Sequence, residues 1–358
     1  MAAPVLSIRA LNRALLARQL LLERAELSIP AALEQISGLQ TQYAPSGYIG
    51  LWSRLRRFER SALSAAIEQR HVIQATLMRM TIHMVSARDH HLFAAGVRRS
   101  RQSWWLGTAA RTRDLDQIDL DKLAACVRSA LTNGPRRRAQ LVATLEDAGF
   151  DKGFMSAAGL WVDMVRVPPS GTWEHPRADL YGLADQWLES VDTTEADGLE
   201  HLITCYLRGF GPAAMADIAG WTGVKATTLR PVIDHLDLRR FQDEAGRELL
   251  DVAHGLLPDP GTPAPVRFLP TWDATLLVHA RRTQILPEEH RRLVFSTKNP
   301  HSTPTFLVDG AVAGAWRHSD GRITLQPYRE LADDDRQALD QEAERLAAFH
   351  AEDNRPHQ

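Results

Sequence analysis

Twice along this chain, three helical stretches run straight into a strand–turn–strand ribbon, and that order constrains the fold more than any other feature. The first pass predicts helix over 120–131, a break at Asn133-Gly134-Pro135, and helices over 136–148 and 156–164. A strand and tight turn follow in Val165-Arg166-Val167-Pro168-Pro169-Ser170-Gly171-Thr172-Trp173. The second pass predicts helix over 199–208, a restart at Gly211-Pro212 into 213–221, a turn at Thr222-Gly223 and helix over 227–236. Its ribbon is predicted over 238–241 and 248–252, around Asp243-Glu244-Ala245-Gly246. No residue-by-residue repeat links the two passes; they share a pattern only.

Three helices and a β-ribbon in that order are a winged helix. The stretch before them starts similarly: Ser7 is placed as an N-cap for Leu11, Leu15, Leu16 and Leu20, and Ser28 with Pro30 opens a helix that stops at Gly38. Helices over 51–58 and 61–70, a strand pair within 72–85, helix over 89–97 and a packing knot at Trp104-Trp105 are expected next. Four prolines in 258–265 mark a linker. Beyond it, strands are expected over 266–269, 275–279, 305–308, 311–317 and 322–326, with hairpin turns at Asp309-Gly310 and Asp320-Gly321. A closing helix over 328–349 is acidic. The fold class expected is therefore mainly α with small β elements, about three winged-helix units and a β-barrel-like region. The boundaries are 1–115, 116–195, 196–257, 258–330 and 331–358.

Length permits two to four compact units, and no run of about eighteen apolar residues suggests a membrane span. Without a leader pattern, and with Cys126 and Cys205 as the only cysteines, a reducing cytoplasm is the expected location. Net charge is −2, but residues 1–113 hold sixteen Arg, no Lys and six Asp or Glu, a local +10. An arginine-only basic third suits phosphate oxygens, whose geometry matches the guanidinium fork, and equally suits a charged helix surface. His90-His91 lack metal-ligand spacing and no glycine-rich phosphate loop occurs, so neither a metal nor a cofactor is expected. Only four lysines exist, which disfavours Schiff-base chemistry.

Within Ser37-Gly38-Leu39-Gln40-Thr41-Gln42-Tyr43-Ala44-Pro45, two glutamines stand two apart between a helix-ending glycine and a proline. An extended backbone turns both amides to one side, where they can hold a water; capping the preceding helix fits the same residues. Arg79, Thr81 and His83 alternate, so a strand gives them one face, either lining a cleft or packed in a core. Trp272, Asp273 and His279 fall near the expected barrel entrance, with Trp272 fitting either a stacking role or the core. Arg54, Arg57, Arg137 and Arg281 are candidates for phosphate contact and also fit ordinary surface charge.

Several strings taken in order resemble the AlkZ-like (YcaQ-like) winged-helix DNA glycosylases. They are Gly38-Leu39-Gln40-Thr41-Gln42 with Tyr48 and Leu51-Trp52-Ser53-Arg54-Leu55, then Met78-Arg79-Met80-Thr81-Ile82-His83, then the Pro168–Trp173 wing. Gly211-Pro212, Trp221-Thr222-Gly223, Phe268-Leu269-Pro270-Thr271-Trp272-Asp273 with His279, and Val308-Asp309-Gly310 with Trp316-Arg317 complete them. The resemblance covers residues 7–330. It implies a C-shaped scaffold around double-stranded DNA, acting as a monomer without cofactor. It also implies excision of bulky N7-alkylguanine or unhooking of crosslinks in self-resistance, and a catalytic Gln-x-Gln falling on Gln40 and Gln42. The chemistry agrees. A carboxamide is a poor base and cannot protonate a leaving group, so the pair suits a base that is already cationic. Gln42 is expected to orient the water and Gln40 to fix it or touch the sugar. A winged-helix regulator or adduct-sequestering factor is the competing class.

Overall fold

The computed structural model describes residues 3–111, 119–280, 282–295 and 302–352. The fold is mixed α/β, about half helical, with three small sheets. Side-chain caps start the first helices: Ser7 Oγ accepts from the Ala10 amide at 3.1 Å to begin Ile8–Arg18, and Ser28 begins Ile29–Ile36, with Pro30 in its first turn. That second helix ends in two left-handed residues, Ser37 (φ 66) and Gly38 (φ 76). A Cβ at Gly38 would come within 2.9 Å of the Met84 carbonyl oxygen, so glycine alone lets the chain pass there into a strand.

Strands are numbered β1–β13 in chain order. The largest sheet has the order β2(Leu39–Gln40)–β4(Ile82–Ser86)–β3(Val72–Thr76)–β6(Met164–Arg166)–β7(Leu180–Leu183)–β5(Arg136–Arg137), with every pairing antiparallel. It therefore joins the first two expected units edge to edge, Gln74 opposite Arg166 and Ala75 opposite Val165. The Gln74 amide adds a bond to the Gly171 carbonyl at 2.6 Å. A second sheet sets β1(Val5–Leu6) parallel to β8(Leu238–Asp243), which pairs with β9(Glu248–Val252). Helices Glu195–Phe210, Met215–Thr222 and Ala226–His235 precede that ribbon, in the order expected of the third unit.

The C-terminal strands correct one expectation. β10(Arg267–Leu269), β11(Thr305–Val308), β12(Ala311–Ser319) and β13(Arg322–Pro327) form an open antiparallel row, not a closed barrel. The strand expected at 275–279 is a 3-10 turn, Ala274–Leu276, because Asp273 caps it by accepting from the Thr275 amide at 3.1 Å. Both hairpin turns occur as read: Asp309 (φ 45) with Gly310 (φ 80), and Asp320 (φ 51) with Gly321 (φ 72). Other boundaries shift. Helix covers Pro45–Arg54 rather than 51–58, and Arg138–Asp147 rather than 136–148, since Arg136–Arg137 is a strand. Trp105 is buried but Trp104 is 59% exposed on the helix Ala87–Ala109, so only one of them packs. The proline-rich 258–265 stretch is tethered: Arg9 and Arg13 donate to the carbonyls of Pro260 (2.7 Å) and Thr262 (2.6 Å).

One apolar core surrounds Tyr206, Phe210 and Trp221; another joins Trp52, Phe268, Phe306, Trp316 and Phe349. Two buried ion pairs connect distant segments, Arg18 with Asp251 (2.6 and 3.0 Å) and Arg54 with Asp273 (2.9 and 3.0 Å).

Candidate active site

Gln40 ends β2, a strand only two residues long, and lies opposite His83 of β4. The ladder continues through the Thr41 amide, which donates to the Ile82 carbonyl at 2.8 Å. The next contact is made by a side chain: Gln42 Oε1 accepts from the Ile82 amide at 2.9 Å. Both glutamines therefore address the same short stretch of β4 from an extended edge. Gln40 is buried and Gln42 exposed.

The connection from β3 to β4 supplies the third group. Its tip holds Arg79 (φ 52) and Met80 (φ 59), both left-handed, inside a loop closed by the Leu77 amide on the Thr81 carbonyl at 3.0 Å. Arg79 Nη2 donates to Gln40 Oε1 at 2.6 Å, and Nη1 donates to the Trp221 carbonyl at 3.4 Å. The tip is thus braced by the end of the helix Met215–Thr222. These donors fix both amide orientations, because only an oxygen accepts from Arg79 or from Ile82 N–H. Each carbonyl keeps a second lone pair. Neither NH2 end has a protein acceptor among the described residues.

Thr81 Oγ1 donates to the Met78 carbonyl at 3.0 Å, and His83 Nδ1 lies 3.1 Å from the Thr81 carbonyl, which makes Nδ1 the protonated nitrogen. Burial, reinforced by the Arg79 charge, pushes His83 down to about 3, so the ring is neutral at pH 7. Burial lowers Arg79 only to about 10, leaving it cationic. Arg79 has no carboxylate partner among the described residues. The site thus offers two oriented amides, a neutral imidazole and one uncompensated guanidinium.

Of the remaining candidates, His279 meets Asp217 of the helix that braces this tip. Its Nδ1 is 3.3 Å from the Tyr206 hydroxyl and 4.0 Å from Asp217 Oδ2, while its buried Nε2 has no partner among the described residues. Burial works against the Asp217 charge, but His279 and the amides of Ala280 and Ala214 outweigh it and hold the carboxyl below its usual value. Tyr206 and Asp217 were not singled out in the sequence. Arg54 and Asp273 are spent on one another in the interior, both with fully buried side chains. Trp272, next to Asp273, is half-buried in a left-handed conformation (φ 58), with its amide on Ser302 Oγ at 2.6 Å.

Arg57 is exposed and lines a separate concavity with Glu23, Arg24 and Arg56. Arg137 is exposed in β5 and pairs with Asp179 at 3.1 Å. β5 is the far edge of the sheet, five strand spacings or roughly 24 Å from β2. Arg281 lies outside the described residues. Among the described residues, Asp89, His201 and Cys205 bring potential ligand atoms within 4.8 Å of one another. There burial pushes the Cys205 thiol up to about 12 in spite of the Arg208 guanidinium 3.1 Å from its Sγ, which favours a hydrogen-bonded cluster over a thiolate ligand.

The family model for AlkZ-like DNA glycosylases matches residues 33–349, and the chain belongs to that family. Its fold is similar to that of Streptomyces sahachiroi DNA glycosylase AlkZ, with a TM-score of 0.78 at 18% identity over 97% of each chain. No curated protein matches the sequence. No helix among the described residues is long and apolar enough to cross a membrane.

Proposed function

We propose that this protein is a monofunctional glycosylase that hydrolyses the N-glycosidic bond of cationic N7-alkylguanine in double-stranded DNA. Bulky adducts or interstrand crosslinks are its substrates, in repair or self-resistance to a genotoxic compound. The observation that carries this reading is the pair Gln40 and Gln42, held on one strand edge by donors from Arg79 and Ile82. An amide with a fixed carbonyl and a free NH2 group can hold a water in place but cannot act as a strong base. That suffices where the leaving group departs neutral from a cationic precursor, and the developing sugar cation then meets carbonyl dipoles. Arg79, lacking a carboxylate partner among the described residues, suits a DNA phosphate nearby, which would offset its charge.

The scaffold proposed for this function is a set of tandem winged-helix units arranged around a duplex, acting as a monomer in the cytoplasm. An open edge of that kind can accept a lesion too large for a closed base pocket. The test is incubation with duplex carrying N7-methylguanine and a bulkier N7 adduct. Alkali-labile abasic sites are expected, and neither Gln40→Ala nor Gln42→Ala should produce them at the parental rate. Tight binding to adducted duplex with no base released would assign the chain to the non-catalytic class instead.

A further inference from the structure

A second positively charged site lies on the other side of β3. A cavity of about 220 Å³ opens between the helix Ala87–Ala109, β3, β6 and the helix Met155–Trp161, lined in part by Thr76, Arg101, Arg138, Asp163 and Arg166. Arg101 donates to the carbonyls of Thr76 (2.8 Å) and Gly159 (3.2 Å). Arg166, 8% exposed, donates to Thr76 Oγ1 at 2.9 Å and to the Ala178 carbonyl at 3.1 Å. Two guanidinium groups thus converge on one threonine.

Neither arginine has an ion-pair partner among the described residues. Asp163, the carboxylate on the cavity wall, is bound by Arg98. Arg101 Nε is buried with no acceptor among the described residues. Unpaired charge in the interior is expensive, and a matching counter-ion removes that penalty. Burial pulls both arginines below their usual range, Arg101 to about 10. Arg138, exposed, adds positive charge at the wall.

We propose that this cavity binds a phosphate group, the backbone phosphate of the DNA strand that crosses the glutamine pair. Arg101 Nη1 and Nη2 and Arg166 Nη2 each keep a second hydrogen beyond these bonds, and such donors suit a tetrahedral oxyanion. Thr76 ends β3 three residues before Arg79, so an anion here ties the strand to the loop that holds Gln40. That the phosphate belongs to DNA rests on the function proposed above; the anion site itself does not.

The experiment titrates the full chain with inorganic phosphate at constant ionic strength, against chloride, and follows Tm. A saturable rise with phosphate is expected, absent in Arg101→Gln and Arg166→Gln. Without phosphate each variant loses its bonds to Thr76 and to Gly159 or Ala178 along with the buried charge, so the phosphate-dependent rise, and not the starting Tm, is the readout. No rise in the parent, or an equal rise in both variants, overturns the site. Should both variants fail to fold, the parental titration decides alone.

The source of the phosphate is tested with duplexes carrying one neutral methylphosphonate, scanned along the strand beside an abasic-site analogue. One position should weaken binding to the parent about tenfold and leave Arg166→Gln unaffected. A flat scan with an intact phosphate response overturns the DNA assignment. Base release by the same protein preparations from N7-methylguanine duplex reports separately on Gln40 and Gln42: its absence would sink the glycosylase reading without touching the phosphate titration.

Discussion

Gln42 has two jobs, and they can be separated. Its carbonyl closes a backbone ladder at Ile82, while its NH2 end has no protein acceptor among the described residues. Replacement of either glutamine by alanine is expected to lower single-turnover base release about 10²–10³-fold, the scale of losing one preorganised polar group at a reacting centre. Gln42→Ala should also destabilise the fold by about 1 kcal/mol, since the Ile82 amide loses its partner, and chemical denaturation would read that difference. His83 makes a prediction of opposite character. Its pKa falls from the ordinary 6.5 to about 3 on folding, so the unfolded chain gains a proton first as pH drops. The stability it contributes is complete above about pH 6.5 and is lost progressively as the pH falls towards 3. In denaturation midpoints measured between pH 7 and 4, His83→Asn should flatten part of that decline. Midpoints of equal slope in parent and variant would refute it.

At the scale of elements, what the sequence made legible depends on where the determinants lie. The β3–β4 pair, the third-unit ribbon and both Asp-Gly hairpins were readable, because alternation and turn chemistry are local. β2 was readable only as an extended stretch between Gly38 and Pro45; its partner β4 starts more than forty residues later. The barrel was misjudged because closure depends on strands meeting across the molecule, which no local pattern encodes. Arg54 reads as a phosphate contact or surface charge and Asp273 as part of the barrel entrance, since a charge carries no sign of the partner 219 residues away that buries it. Gln40 and Gln42 were legible as a motif; Arg79's bond to Gln40 was not, because it depends on a left-handed tip. Gly38→Ala tests the entry to β2. The new methyl would press on the Met84 carbonyl in a backbone conformation that disfavours it, and a loss of more than about 1 kcal/mol is expected. Base release should fall with it as β2 loses its register, whereas full stability in the variant would mean the entry is not constrained.

At the scale of the molecule, the interior ion pairs join the N-terminal helices to segments more than two hundred residues away. Arg54→Met should cost about 3–5 kcal/mol by stranding Asp273, and Arg54→Met with Asp273→Leu should recover most of it. Equal losses in the single and double variants would show that the pair acts through packing alone. The arginine-rich first third predicts that affinity for duplex falls steeply with salt, and a log–log slope near zero would contradict phosphate contact. The pairing of β3 with β6 has a further meaning. It puts the glutamine edge and the far ribbon on one hydrogen-bonded lattice, so they share a single ruler with gradations of one strand spacing. A duplex gripped at β5 would be measured against Gln40 along that ruler, with the distance written in the sheet rather than left to a linker.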